Sequence, residues 1–264
     1  MKETVGVIGA GRMGLPIIGH LARKGFRTLA TDVNAAKQPE VKSRGAEWVT
    51  DAAALARECS VILVCVGFDH ELTELFPKLG ARPDTIVAIL STVHPATVQQ
   101  LAKEAKGFHV VDSTVCRGGR AADEGTLLSF VGGAAEVVAR ITPVLRAYSS
   151  DVVHSGDVGS AQVAKAANNL ILWACLVADH EGLALARRYG LDPERLRQAL
   201  LLSSAANDAL AKWGTQTMAW AEDDMAIVAQ MAAECGIALP QAALNRELCR
   251  ALKPRRYKLD EYGR

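Results

Sequence analysis

Three stretches of this chain hold residues whose types and spacing could do chemistry. In GSAQVAKAANN, Lys165 and Asn169 stand four residues apart and share a face if the stretch is helical. Their neighbours are Ala, Val and Leu, and apolar company disfavours an ammonium. A lysine so placed can give a proton to a carbonyl oxygen as hydride arrives, and take it back in the reverse direction. Asn169 would hold the lysine or the substrate oxygen. A solvated lysine on an amphipathic helix is the commoner case, and periodicity alone leaves both open.

The second stretch is GAGRMG, residues 9–14, directly after the apolar run TVGVIG. A G-x-G-x-x-G between a strand and a helix is the dinucleotide-binding pattern. Gly9 permits the tight turn, Gly11 lets the backbone approach a diphosphate, and Gly14 lets the helix pack close to the strand. Arg12 and Met13 complete the turn. The following helix offers its N–H groups and positive end to the diphosphate. Asp32 ends the second apolar run, where a carboxylate accepts the ribose hydroxyls and repels a 2′-phosphate, which favours NAD over NADP. Its alternative is an N-cap for a helix over 34–44. Val66, at the end of SVILVCV, is placed with the cofactor residues.

The third stretch is DSTVCRGG, residues 112–119. A loop after a buried strand of an α/β protein is a usual place for a ligand. Arg117 is a planar, two-pronged donor suited to carboxylate, sulfonate or phosphate. Cys116 is a poorer hydrogen-bond donor, and as a nucleophile it would need a deprotonating environment. The alternative for Arg117 is that it points to solvent or to another subunit.

The elements that must position these groups follow from the apolar pattern. Short Val- and Ile-rich runs at 4–9, 27–31, 60–66, 85–90, 108–112, 126–132 and 151–156 alternate with segments of helical length such as 12–24, 95–106 and 134–147. Runs apolar on both faces are expected of a parallel sheet covered on each side. The fold class is therefore α/β, a Rossmann-type doubly wound parallel sheet. After about residue 156 the pattern changes. From Gly159 to Arg188 the chain reads as one long Ala- and Leu-rich helix. Gly190 ends it, and Asp192 with Pro193 opens the next. Helices continue to about Leu252, and the basic tail KPRRYK reads as a solvated end. The expected domains are 1–157, dinucleotide-binding, and 158–264, all-helical.

Composition narrows the classes. Lys plus Arg is 30 against 29 for Asp plus Glu, so no bulk field favours nucleic acid. Six cysteines without a C-x-x-C pair argue for reduced thiols and a cytoplasmic protein, with no metal site. The N-terminus does not read as a signal peptide. No apolar run reaches the ~20 residues of a membrane span.

Taken in order, GVIGAGRMGLPIIGHLARKG, STVHP, DSTVCRGGRAADEGTL and GDVGSAQVAKAANN resemble the β-hydroxyacid dehydrogenase family, over about residues 3–240. That family includes 3-hydroxyisobutyrate dehydrogenases, tartronate semialdehyde reductases and sulfolactaldehyde reductases. The resemblance implies that Lys165 is the catalytic acid/base and Asn169 its assistant. It also implies that Ser91 and Thr92 lie beside the nicotinamide ribose or substrate, and that Cys116, Arg117 and Gly118 hold the substrate anion. His94 gets no chemical role, because its place at a helix start explains it. The expected activity is hydride transfer between NAD(P) and a small anionic 3-hydroxy acid or its aldehyde, in a homodimer or homotetramer. A sulfonate-bearing substrate is one form of it, since V-C-R resembles the V-G-R of sulfolactaldehyde reductases. Two departures stand out. Cys116 and Arg117 replace a Ser and a Gly, and Asp223 stands where the family has a lysine near the substrate. Two other readings stay open: an imine or ketone reductase with a larger substrate, against which the lysine speaks, and a nucleotide-binding sensor or scaffold that has lost catalysis.

Overall fold

The computed structural model describes residues 3–263. The described chain divides into two compact units, one up to Lys165 and one from Ala166.

The first unit carries the strands β1 (Thr4–Ile8), β2 (Arg27–Thr31), β3 (Glu47–Trp48), β4 (Val61–Val64), β5 (Ile86–Ile89), β6 (His109–Asp112), β7 (Val115–Cys116), β8 (Leu127–Gly132) and β9 (Ser149–Gly156). Between them run α1 (Gly14–Arg23), α2 (Gln38–Ser43), α3 (Ala52–Glu58), α4 (Asp69–Leu79), α5 (Pro95–Glu104), α6 (Gly118–Glu124) and α7 (Ala135–Leu145). The sheet order is β3-β2-β1-β4-β5-β6-β8-β7, with β9 on β8. The first six strands of that order are parallel. β8 then runs antiparallel to β6 and β7 and parallel to β9. The expectation of a doubly wound parallel sheet holds for the nucleotide half, and the reversal at β8 is the departure from it.

Burial on both faces explains the unbroken apolar runs. Along β4, Leu63 packs into one core with Ile17, Ile18 and Leu21 of α1, whereas Ile62 and Val64 pack into the other with Leu55 of α3 and Leu72 and Phe76 of α4. β5 divides likewise, Ile86 and Ala88 to one side and Val87 and Ile89 to the other. Each face receives alternate residues of one strand, so both sets must be apolar. Asp51 caps α3 by accepting from the Ala54 N–H at 2.7 Å, the contact expected of an N-cap carboxylate.

The long helix predicted for 159–188 is α8 (Ser160–Arg188). It begins in the first unit and continues into the second. There α9 (Pro193–Leu200), α10 (Asp208–Ala211), α11 (Ala221–Cys235) and α12 (Pro240–Leu252) follow. Asp192 caps α9 through the Arg195 N–H, with Pro193 in the first turn as the sequence predicts. The core of this unit gathers Trp173, Leu176 and Val177 of α8 with Met225, Val228, Cys249 and Leu252. By length and composition α8 is apolar enough to cross a membrane, yet it carries Lys165, Asp179, His180 and Glu181.

The basic tail differs from its expectation of a solvated end. Tyr257 donates its backbone N–H to His180 Nε2 at 2.8 Å, and His180 Nδ1 lies 2.7 Å from the Leu176 carbonyl. The imidazole is fully buried between Trp213 and Tyr257. Serving both bonds makes it a neutral ring protonated at Nδ1. The apolar side of Tyr257 thus has a fixed berth that a reading of charge alone misses.

Candidate active site

The glycine turn joins β1 to α1. Gly9 has φ +99°, and a Cβ there would lie 2.4 Å from the Cys65 carbonyl oxygen. A Cβ on Gly14 would lie 1.9 Å from the Gly9 oxygen, whereas one on Gly11 would meet nothing within 4 Å. Two of the three glycines are therefore required by the turn itself. The space over Gly11 is open, as a backbone that receives a diphosphate needs. Arg12 projects to α6 and forms a two-pronged ion pair with Asp123. Met13 is the residue before α1 and packs partly buried against the core. Val66, just beyond β4, is a partly buried neighbour of the opposite core.

Asp32 follows β2 and spans two backbone segments. Its Oδ2 accepts from Ala10 N–H at 2.7 Å and its Oδ1 from Asn34 N–H at 2.8 Å. The helical segment after it is capped by Asn34, which accepts from Ala36 N–H, so the N-cap alternative for Asp32 falls away. A carboxylate tied to the glycine turn, with lone pairs to spare on both oxygens, suits two vicinal hydroxyls. These residues fit a dinucleotide.

The start of α8 is fixed by a buried carboxylate. Asp112 is fully buried and accepts from Gly159 N–H at 2.8 Å and from Gln162 N–H at 3.0 Å. Burial raises its pKa, and the backbone N–H groups at the helix N-terminus oppose that rise. The Gln162 side chain then ties the strand after β5 to α8, donating to the Ser91 carbonyl at 2.9 Å and accepting from Val93 N–H at 3.0 Å. Thr114 adds a bond to the Ala161 carbonyl. Asp112, Thr114 and Gln162 were not among the expected site residues. A lone Asp or Gln on an apolar stretch has no spacing that announces such a brace.

This bracing places Lys165 at the Val115–Cys116 segment. Its Nζ donates to the Val115 carbonyl at 2.8 Å and lies 3.9 Å from Cys116 Sγ. Cys116 is buried and Lys165 half-buried. Asn169, one turn further along α8, is buried and accepts from Asn168 Nδ2 at 3.1 Å. Ser91 is buried, and its hydroxyl has no hydrogen-bond partner among the described residues; Thr92 beside it is half-buried. His94 is the N-cap of α5, its Nδ1 accepting from Ala96 N–H. Its place there matches the structural role expected of it.

Arg117 differs from its expected role. It sits at φ +83° just before α6, and its Nη1 donates to the Thr126 carbonyl, Ser150 Oγ and Asp151 Oδ2 at 2.7–3.0 Å. The guanidinium is paired with Asp151 of β9 and bonded to the residue before β8, so it is not the free cation of an anion site. Gly118, at φ +76° with open space at its Cβ position, keeps an accessible backbone. Asp223 lies exposed in the first turn of α11 with Glu222 and Asp224. Carboxylates are stabilised there by the helix N-terminus, which accounts for an acid at that position without a role in the chemistry.

Fold and glycine turn together define a dinucleotide-binding domain. Residues 4–156 match the NAD-binding domain of 6-phosphogluconate dehydrogenase, and residues 159–261 match the domain described as NAD-binding of NADP-dependent 3-hydroxyisobutyrate dehydrogenase. A probable mitochondrial 3-hydroxyisobutyrate dehydrogenase of Dictyostelium discoideum is 31% identical over 77% of this chain and 66% of its own length. The 3-hydroxyisobutyrate dehydrogenase of Pseudomonas aeruginosa is 30% identical over 78% of this chain and 72% of its own. The structure of a Mycobacterium tuberculosis 3-hydroxyisobutyrate dehydrogenase with L-serine superposes with a TM-score of 0.87, at 21% identity over 97% of this chain and 95% of that one. The chain belongs to the β-hydroxyacid dehydrogenase family, the NAD(P)-dependent oxidoreductases of 3-hydroxyisobutyrate dehydrogenase type.

Proposed function

We propose that the protein is an NAD-dependent dehydrogenase of a small anionic 3-hydroxy acid or its aldehyde, with Lys165 as the acid/base. The observation that carries this reading is the Lys165 ammonium held at the Val115 carbonyl, beside Cys116. When bound, the nicotinamide dinucleotide supplies or accepts the hydride. Lys165 Nζ, with one N–H donor beyond those directed at Val115 and Cys116, gives a proton to the substrate oxygen in reduction and takes it in oxidation. Asn169 orients that oxygen. The Ser91 hydroxyl, Thr92, Cys116 and the open backbone at Gly118 bind the rest of the substrate. Arg117, bonded at once to Asp151, Ser150 and the Thr126 carbonyl, is given a structural part in this reading.

The Asp32 carboxylate supports NAD over NADP, since a 2′-phosphate would meet its charge. The six cysteines, none of them in a disulfide, support a reducing, cytoplasmic setting. Ile171 and Leu185, exposed apolar side chains of α8, support a homodimer or homotetramer.

The test is a panel of 3-hydroxy acids, including a sulfonate-bearing one, with NAD and with NADP, followed at 340 nm. Turnover that prefers NAD supports the reading, and turnover only with NADP overturns the cofactor choice. The exposed acid at Asp223 and the turned-away Arg117 favour a second reading, a nucleotide-binding sensor without catalysis. Tight NADH binding with no turnover across the panel would select it.

A further inference from the structure

Arg12 belongs to the turn whose backbone faces the diphosphate, yet its side chain is engaged elsewhere. Nη1 and Nη2 bind Oδ1 and Oδ2 of Asp123 at 2.9 and 2.6 Å. Asp123 is on α6, the helix that begins directly after Cys116 and Arg117. The contact is shaped on both sides. A Cβ on Gly119 would lie 2.5 Å from the Arg12 guanidinium, and one on Gly125 would lie 2.6 Å from the His20 ring of α1. His20 Nε2 also lies within hydrogen-bond reach of the Ala122 and Asp123 carbonyls. α6 thus rests on the glycine turn and on the last turn of α1 through two side chains, Arg12 and His20, that two glycines admit.

The pair is well formed but weakly held. Both side chains are more than half or half exposed, at 61% and 50%, and exposed ion pairs hold their partners loosely in water. A diphosphate brings two charges where Asp123 brings one, and the guanidinium fork fits phosphate oxygens as well as carboxylate. Arg12 is tethered in the turn that receives that diphosphate. Asp123 left behind would still face His20 and Arg44.

We propose that Asp123 competes with the cofactor diphosphate for Arg12, so that cofactor binding draws Arg12 off α6 and loosens the helix adjoining the Cys116–Gly118 substrate segment. Asp123 is then a positioning residue that restrains cofactor affinity and links cofactor occupancy to the substrate segment. The inference rests on the dinucleotide reading above.

The experiment titrates NADH by its fluorescence into the wild type, Asp123→Asn, Arg12→Ala, the double variant and Glu124→Gln. Glu124 is the neighbouring carboxylate, paired with Arg120, and controls for loss of charge alone. Asp123→Asn should tighten NADH about two- to fivefold, the range spanned by exposed ion pairs. The same substitution should do nothing in the Arg12→Ala background, and Glu124→Gln should leave affinity unchanged. Amides of 119–124 should exchange faster with deuterium when NADH saturates the wild type. Unchanged or weaker binding by Asp123→Asn, equal tightening without Arg12 or by Glu124→Gln, or slower exchange in 119–124 would overturn the proposal and leave the pair a fixed strut. A wild type that binds no NADH would instead overturn the dinucleotide reading, and the proposal with it.

Discussion

Lys165 Nζ donates to the Val115 carbonyl at 2.8 Å, so the proposed acid/base is aimed by backbone of the Val115–Cys116 segment. A flexible four-carbon stem is thereby held in one direction before any ligand arrives. The brace behind it is Asp112, which fixes the first turn of α8.

The three glycines of the turn should separate by what they do. Gly14→Ala puts a methyl 1.9 Å from the Gly9 oxygen, and this variant should fail to fold or melt far below the wild type. Gly11→Ala meets nothing within 4 Å. It should keep the wild-type melting temperature and lose NADH affinity by tenfold or more, on the order of 1.4 kcal/mol. Thermal melts and NADH titration of the same two proteins check both halves.

Arg117→Ala should leave KM for acidic substrates within about twofold, since its guanidinium is bound to Asp151 at 2.7 Å. The loss should show instead as a small drop in stability, as expected of an exposed ion pair. Steady-state kinetics and a urea melt measure the two effects. A tenfold rise in KM would restore the arginine to the substrate site.

His180 should make stability depend on pH. Burial depresses its pKa below the ordinary 6.5, so the folded protein binds a proton less readily than the unfolded chain. Stability is therefore full above about pH 6.5 and falls as pH drops below it toward the depressed folded value. Protonation also sets an N–H against the Tyr257 N–H that Nε2 now accepts. Melts across pH 5–7.5 should show this slope, and His180→Gln should flatten it while lowering the melting temperature throughout.

Much of this was legible in the sequence because local pattern and tertiary role agree. β1, the glycine turn and Asp32 obey spacing rules set by the turn itself, and α8 is a long breaker-free run. The short strands β3 and β7 escaped notice because two residues carry no periodicity. The brace of Asp112 and Gln162 escaped because its partners are backbone groups about fifty and about seventy residues away. Arg117 misled for a related reason. A glycine loop with an arginine has the composition of an anion site, but the side chain's direction is set by φ +83° and by Asp151 on a strand the loop does not touch in sequence. The tail was judged by its charges, while Tyr257 among them answers to His180.

The central claim is that Lys165 moves the proton. Its most direct test is single-turnover hydride transfer at 340 nm by Lys165→Ala, with NADH affinity measured on the same sample. The account predicts a loss of turnover of about 10²-fold or more with the NADH dissociation constant unchanged. Turnover at the wild-type rate by that variant would contradict it.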